Sequence, residues 1–188
     1  MQNLNSLTPN NLNSEACVWL LDDEPQLVES LQWLLQTSGL ASQALANPDE
    51  VFQRDFSQQP GCLVMDVRMP QRSGLDVLVK MQAEAINLPV ILISGHADVP
   101  MAVKAMQLGA ENFFEKPFNH QQLIDSLQRA IAKHRLSLEA ATKKQQLLAK
   151  MQLLTERETQ VFYKLVEGLP VKQLAAELAI SSKTVDVH

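Results

Sequence analysis

The fold of this 188-residue chain is decided by one stretch, Gly61-Cys-Leu-Val-Met-Asp66-Val-Arg-Met-Pro-Gln-Arg-Ser-Gly74. Its apolar run, Cys62 to Met65, has the length of a buried strand and ends on a single carboxylate, Asp66. Pro70 and Gly74 then predict a turn before the next amphipathic run. Because reacting groups of open α/β sheets gather at the carboxyl ends of the strands, Asp66 is a candidate nucleophile or metal ligand.

Strand-like runs and helical periodicity alternate five times along the first two thirds of the chain. The other predicted strands cover residues 18–21, 40–45, 89–93 and 113–115. Helical segments follow from residue 25, over about 49–56, from 75, after 96 and from about 121. This alternation predicts an α/β domain, a parallel sheet with helices on both faces, over residues 15–133.

The net charge of −5 is unevenly distributed. Residues up to Lys133 carry 15 acidic and 8 basic side chains, whereas residues from His134 carry 6 and 8. The asymmetry favours an acidic domain followed by a mildly basic one that approaches nucleic acid. No apolar run approaches the roughly 20 residues of a membrane helix. Residues 1–14 look like a flexible leader, and Cys17 and Cys62 like buried, reduced thiols, so a cytoplasmic protein without membrane contact is expected.

A long helix is predicted after the α/β domain, since neither Gly nor Pro occurs between Pro117 and Gly168. A 4-3 spacing runs through Leu127, Ile131, His134, Leu138, Ala141, Gln145, Leu148 and Gln152. We favour a linker helix over residues 134–152. The alternative is a weak two-stranded coiled coil, in which His134 and Gln145 reduce stability.

A separate helical unit is predicted over residues 153–188. Thr155-Glu-Arg-Glu158 has the pattern of a capping box, and Gly168 ends the helix that follows. A second helix from about Val171 and a third from Ser182, capped by Ser181, complete a helix-turn-helix pattern. The sequence reaches His188 about two turns into the expected reading helix, so an incomplete DNA-binding domain is expected. The alternative is a small helical docking module.

The predicted strand ends carry the residue types that phosphoryl transfer needs. Asp22 and Asp23 follow the first strand, and they converge with Asp66 if the first and third strands are neighbours. Such carboxylates require protonation or a hard cation, and Mg²⁺ suits them. Ser94 adds a hydroxyl and Lys116 an ammonium, which together favour phosphoryl transfer to a carboxylate. By themselves, without the other motifs, Asp22 and Asp23 are more typical of a helix cap than of a metal site.

Four motifs in this order resemble a response-regulator receiver domain. They are Asp22-Asp-Glu24, Met65-Asp-Val-Arg-Met-Pro70 with Gly74, Ser94-Gly-His96 and Lys116-Pro-Phe118. Residues 95–103 are similar to the FixJ branch, and residues 155–188 resemble the LuxR/FixJ-type DNA-binding domain. The resemblance covers nearly everything from Val18 onward. It implies a flavodoxin-like, doubly wound five-stranded parallel sheet of order 2-1-3-4-5, then the linker helix and a small all-α helix-turn-helix domain.

The resemblance also implies the chemistry of the site. Asp66 would accept a phosphoryl group from the phosphohistidine of a sensor histidine kinase. Mg²⁺, or another divalent cation such as Mn²⁺, would be held by Asp66 and Asp23, by Asp22 through water, and by the backbone carbonyl of Arg68. The side chains of Arg68 and His96 would tune the lifetime of the phosphoryl group.

A switch and a partner surface are implied as well. Ser94 would turn toward the phosphoryl group, Phe113 would rotate inward behind it, and Lys116 would contact a phosphoryl oxygen, with a cis peptide bond before Pro117. Dimerisation is expected through the 99–108 helix and the last strand, with the linker helix as a further possibility. A dimer would align two half-sites of a palindromic promoter.

The preferred hypothesis is a phosphorylation-switched transcription regulator, which catalyses only its own phosphorylation and dephosphorylation. Its expected DNA contacts are Lys172, Ser182, Lys183, Thr184, Asp186, Val187 and His188. The alternative is a phosphorelay or protein-interaction regulator whose C-terminal unit does not bind DNA. A phosphatase with an aspartate nucleophile is less favoured, because Arg68 stands where such enzymes carry a second aspartate.

Overall fold

The computed structural model describes residues 16–168, together with Pro170 and Gln173. The chain divides into two compact units, and the division falls between Glu139 and Ala140. The elements, in chain order, are β1 (Cys17–Leu21), α1 (Pro25–Thr37), β2 (Ala41–Ala44), α2 (Glu50–Gln53), β3 (Gly61–Asp66), α3 (Gly74–Ala83), β4 (Val90–Ser94), α4 (Val99–Gln107), β5 (Asn112–Glu115), α5 (His120–Gln152) and α6 (Glu156–Val166).

The five strands form one parallel sheet of order β2-β1-β3-β4-β5, which confirms the predicted topology. Leu21 is in register with Met65, and Asp66 with Ile93. The residues that follow β1, β3 and β4 therefore lie at one edge of the sheet, where the chain reverses its order of strands.

The sheet separates two apolar cores, as a doubly wound fold requires. Successive side chains of a strand point to opposite faces, so β3 places Leu63 and Met65 in one core and Cys62 and Val64 in the other. The first core contains Val77, Leu78 and Met81 of α3, and the second contains Leu31 and Leu35 of α1 with Leu123, Leu127 and Ile131 of α5. Burial on both faces explains the uninterrupted apolar runs of β1, β3 and β4.

The helix α2 is shorter than the sequence predicts. It ends at Gln53 because Arg54 adopts an extended backbone, and the guanidinium of Arg54 donates to Gln43 Oε1 at 2.8 Å. Phe56, which the periodicity assigns to the helix, is instead buried beyond its end, with its ring 4.7 Å from that of Trp19.

His134 packs inside the first compact unit and contacts the start of β3. Its side chain is buried, and its Nδ1 accepts a hydrogen bond from the backbone N–H of Gly61, the first residue of β3, at 3.0 Å. The sequence predicts that His134 begins the linker helix, but the first compact unit extends to Glu139. Nδ1 is therefore unprotonated, and Nε2 carries the proton of the neutral ring.

The second half of α5 carries exposed side chains, including Leu147 and Leu148. The helix ends at Gln152, where the linker is predicted to end. Thr155 then starts α6 with the predicted capping box, since Glu158 N–H donates to Thr155 Oγ1 at 3.3 Å and Thr155 N–H to Glu158 Oε2 at 2.8 Å.

Some predictions fall on residues outside the described part. They are the leader over residues 1–14, the second and third helices of the C-terminal unit and all seven expected DNA contacts.

Cys17 and Cys62 are buried free thiols, as predicted, and burial raises the pKa of both. Within the described residues, no helix combines the length and hydrophobicity needed to span a bilayer.

The buried His134 predicts a pH dependence of stability. Burial lowers the pKa of His134, so the unfolded chain binds this proton more readily than the folded chain. The contribution of neutral His134 to the free energy of unfolding is fully present above pH 6.5, which is about the pKa of an ordinary histidine. As the pH falls from there toward the lowered pKa of the folded chain, the free energy of unfolding decreases by at most about 1.4 kcal/mol per pH unit. Urea unfolding at several pH values should show this slope.

His134→Gln should flatten that slope, because the glutamine does not titrate. His120→Gln is the matched control, since His120 is an exposed residue of the same helix, and it should keep the slope of the wild type. Equal slopes for the wild type and His134→Gln would contradict the prediction.

Candidate functional site

Two buried carboxylates lie side by side at the carboxyl edge of the sheet. Asp66 ends β3 and Asp22 follows β1, and these strands are neighbours. The side chains of Asp66 and Asp22 are only 6% and 2% exposed. Burying two like charges is unfavourable unless a cation accompanies them.

Lys116 supplies a positive charge between these two acids. Its Nζ lies 2.7 Å from Asp66 Oδ1, 2.9 Å from Asp22 Oδ2 and 3.2 Å from Glu24 Oε1. The backbone N–H of Lys116 donates to the carbonyl of Ser94 at 2.8 Å, which attaches the residue to the end of β4. The structure thus brings together one acid from β3, one after β1 and the lysine after β5.

The pKa shifts follow from this arrangement. Burial raises the pKa of Asp22, while its hydrogen bond and ion pair with Lys116 oppose the increase. Burial by itself would lower the pKa of Lys116, but the bonds to Asp66 and Asp22 and their charges raise it above its ordinary value. Lys116 therefore keeps its proton at every physiological pH.

Backbone amides fix the second oxygen of each carboxylate. The N–H of Arg68 donates to Asp66 Oδ2, and the N–H of Glu24 donates to Asp22 Oδ1 at 2.8 Å. Each acid is therefore oriented by one amide and by Lys116, which leaves little rotational freedom at Asp66.

Asp23 differs from these two acids, because it is exposed. With Asp22 it lines a cavity of about 130 Å³, whose other walls come from residues 46–48 and 69–71. Within the described residues, no three acidic, histidine or cysteine side chains are arranged closely enough to hold a metal ion. The donor chemistry nevertheless suits Mg²⁺, which prefers carboxylate and carbonyl oxygens.

The predicted switch residues lie next to this cluster. Ser94 is fully buried at the end of β4, and its Oγ accepts from the N–H of His96 at 3.3 Å. Phe113 is half-buried on the neighbouring β5 and packs against the first core. The side chains of Arg68 and His96 are exposed, and the peptide bond between Lys116 and Pro117 is cis, as expected.

Gly74 closes the loop that follows Asp66. Its N–H donates to the carbonyl of Val67 at 2.9 Å, and a Cβ at this position would meet the carbonyl oxygen of Asp66. The sequence indicates a turn at Gly74, but the reason for glycine is this close approach of α3 to the acid's own backbone.

The sequence analysis does not predict a role for two residues near the site, Glu24 and Phe52. Glu24 is the third carboxylate that contacts the Lys116 ammonium, although the sequence shows it only as part of the Asp22-Asp-Glu24 motif. Phe52 of α2 packs under two cations, with its ring centroid 3.8 Å from Lys80 Nζ and 5.8 Å from Arg72 Cζ, which anchors the loop after Asp66. An aromatic residue and two cations this far apart in sequence give no recognisable pattern.

Comparison with known families agrees with this geometry. The response regulator receiver domain matches residues 18–128, and the bacterial regulatory proteins of the luxR family match residues 152–188. The chain is 38% identical to the response regulator protein TmoT of Ectopseudomonas mendocina over 94% of its length and 80% of that protein. It is 40% identical to the transcriptional regulatory protein FixJ of Rhizobium meliloti over 93% of its length and 86% of that protein.

Solved structures give the same result. A low-resolution structure of the response regulator StyR matches with a TM-score of 0.81 and 34% identity, covering 93% of this chain and 88% of that one. Full-length FixJ from B. japonicum matches with a TM-score of 0.59 and 32% identity, covering 93% and 86%.

The position of Gly74 predicts an unusual response to alanine. Gly→Ala near a helix start ordinarily changes stability little or increases it, but the new Cβ of Gly74→Ala meets the backbone of Asp66 and should cost about 1–3 kcal/mol. Gly95→Ala is the control, because its Cβ would find only Lys116 Cδ at 4.0 Å, and it should stay within about 0.5 kcal/mol of the wild type. Urea unfolding of both variants measures the difference, and equal stabilities would show that this close approach is unimportant.

Proposed function

The chain belongs to the response regulators that join a receiver domain to a LuxR-type DNA-binding domain, and on that premise we propose that Asp66 accepts a phosphoryl group from the phosphohistidine of a sensor histidine kinase. The protein is a phosphorylation-dependent transcription regulator, and we place its action in the cytoplasm. The observation that carries the proposal is the buried Asp66 carboxylate, which is held beside Asp22 by Lys116 at the carboxyl edge of the sheet.

The proposed reaction uses the orientation of Asp66. A carboxylate oxygen forms a bond to phosphorus as the bond from phosphorus to the histidine nitrogen breaks, and the leaving imidazole keeps the electron pair. The amide of Arg68 holds one oxygen in place, so the carboxylate is already aimed when the donor arrives. Lys116 then stabilises the negative charge on the phosphoryl oxygens.

The charge balance of the site favours an additional cation. One ammonium contacts three carboxylates, those of Asp22, Glu24 and Asp66, before any phosphoryl group arrives. We assign a Mg²⁺ or Mn²⁺ ion to Asp22, Asp23, Asp66 and the backbone carbonyl of Arg68. When bound, the ion would supply positive charge to the phosphoryl oxygens.

The switch begins with the charge and acceptor oxygens that phosphorylation adds to Asp66. We propose that the hydroxyl of Ser94 turns toward them and that Phe113 rotates into the space released. The half-buried position of Phe113 beside β4 supports this motion, because the ring already lies partly in the core. The two states need differ by only a few kcal/mol. The exposed Arg68 and His96 flank the site, where they would control how long the phosphoryl group survives.

The proposed output is a homodimer that reads promoter DNA. The helix α4 exposes Val99, Val103 and Met106, with exposed fractions of 76%, 48% and 49%, although its other face is packed on the sheet. A second copy would cover this face and β5, and the linker helix is a further, separate place of contact. The pair would place two reading helices on a palindrome. The proposed DNA contacts stay Lys172, Ser182, Lys183, Thr184, Asp186, Val187 and His188.

Phosphorylation is testable directly. Incubation with acetyl phosphate and Mg²⁺ should add one phosphoryl group to the wild type and none to Asp66→Asn, because the amide is not a nucleophile. Intact-mass spectrometry measures the addition. Asp125→Asn, at an exposed aspartate of α5, should be modified like the wild type. A phosphoryl group on Asp66→Asn would disprove the assignment.

Dimerisation is testable through the exposed face of α4. Val103→Glu should weaken phosphorylation-dependent dimers at least about tenfold, because the interface would bury an unpaired carboxylate. Val79→Glu is the control, since Val79 of α3 is 46% exposed but lies outside α4 and β5. Sedimentation with and without acetyl phosphate compares the variants. If both behave alike, the α4 surface is not the interface.

A further inference from the structure

A second cavity, of about 270 Å³, lies at the amino ends of the strands, the edge of the sheet opposite Asp66. Apolar side chains of Leu78, Met81 and Leu88 form part of its lining, and Lys133, His134 and Ser137 of α5 form one wall. All of these residues belong to the first compact unit. Gln82, Asn87 and Glu111 add polar groups to the lining, so the cavity combines apolar walls with hydrogen-bonding groups, as small-molecule sites do.

His134 contributes a hydrogen-bond donor to this cavity. The residue is 2% exposed, and Nδ1 is occupied by the N–H of Gly61, so Nε2 carries the proton. Among the buried side-chain nitrogen and oxygen atoms of the described residues, those without a hydrogen-bond partner are Trp19 Nε1 and Arg72 Nη1. Nε2 of His134 is not one of them, and the described residues give it no bond, so it is an available donor on a residue that lines the cavity.

The charged side chains of the cavity, and the amide of Gln82, are already paired. Lys133 forms an ion pair with Glu111, and the side-chain amide of Gln82 donates to the carbonyl of Leu108 at 2.5 Å. The two charges neutralise each other at the rim. A charged ligand would gain no unpaired counter-ion here, whereas a neutral ligand loses little hydration on entry.

We propose that this cavity binds a small neutral molecule that has an apolar body and one hydrogen-bond acceptor. The apolar body contacts Leu78, Met81 and Leu88, and the acceptor takes the Nε2–H of His134. Because His134 and Ser137 are in α5 and Met81 is in α3, a bound molecule would contact both helices. The cavity lies at the edge of the sheet opposite Asp66. The proposal therefore does not depend on the role assigned to Asp66.

Two probes of equal shape test the hydrogen bond. Cyclohexanone has a carbonyl acceptor, and methylenecyclohexane carries a CH₂ group in place of that oxygen. Both are titrated into the ¹⁵N-labelled full chain at about pH 7.5, where His134 is neutral, and followed through the amide of Gly61 and the ring nitrogens of His134. Cyclohexanone should produce saturable shifts, and it should bind about tenfold more tightly than methylenecyclohexane.

Variants separate this site from weak binding elsewhere. Ser137→Trp fills the mouth of the cavity from the exposed face of α5 and should abolish the shifts, while Gln128→Trp, at an exposed position of α5 away from the cavity, should keep them. His134→Leu should make the two probes bind equally. Absence of saturable shifts, equal binding of both probes to the wild type, or binding that survives Ser137→Trp would each overturn the proposal.

Discussion

The Lys116 ammonium between Asp66 and Asp22 is the interaction on which the rest of the structure depends. Two carboxylates with exposures of a few per cent can share one edge of the sheet only because a cation is 2.7 and 2.9 Å away. The three side chains come from the ends of β1, β3 and β5, so the parallel order of the sheet is a condition for the site. The phosphoryl group proposed for Asp66 would enter this charge balance through Lys116, whose backbone N–H is bonded to Ser94 at the end of β4.

The central strand β3 connects the two polar ends of the domain. At its carboxyl end Asp66 contacts Lys116, and at its amino end the N–H of Gly61 donates to His134 of α5. Both ends also exclude a Cβ atom: one at Gly61 would meet the Cys17 carbonyl and the Trp19 ring, and one at Gly74 would meet the Asp66 carbonyl. The strand therefore has little freedom to slide, which keeps the acid in position. The helix α5 is thus attached to the amino end of the strand that ends in Asp66.

The surfaces of the first unit differ in what they offer a partner. The sheet edge beside Asp66 is acidic, the outer face of α4 is apolar and exposed, and the opposite edge contains the cavity beside His134. These regions use separate residues, so the three proposed roles can be tested by independent substitutions.

The sequence by itself determined the five strands, the order of helices, the capping box at Thr155 and the set Asp22, Asp66, Ser94 and Lys116, because these depend on local periodicity and on motifs of adjacent residues. Only the tertiary structure decided which side chains touch: Lys116 and Asp22 are 94 residues apart, and His134 and Gly61 are 73 apart. The sequence pattern assigns His134 to the linker because a polar residue in a 4-3 pattern looks the same whether it faces solvent or a buried amide. Its partner is a backbone N–H, which every non-proline residue has, so no side-chain pattern could reveal it.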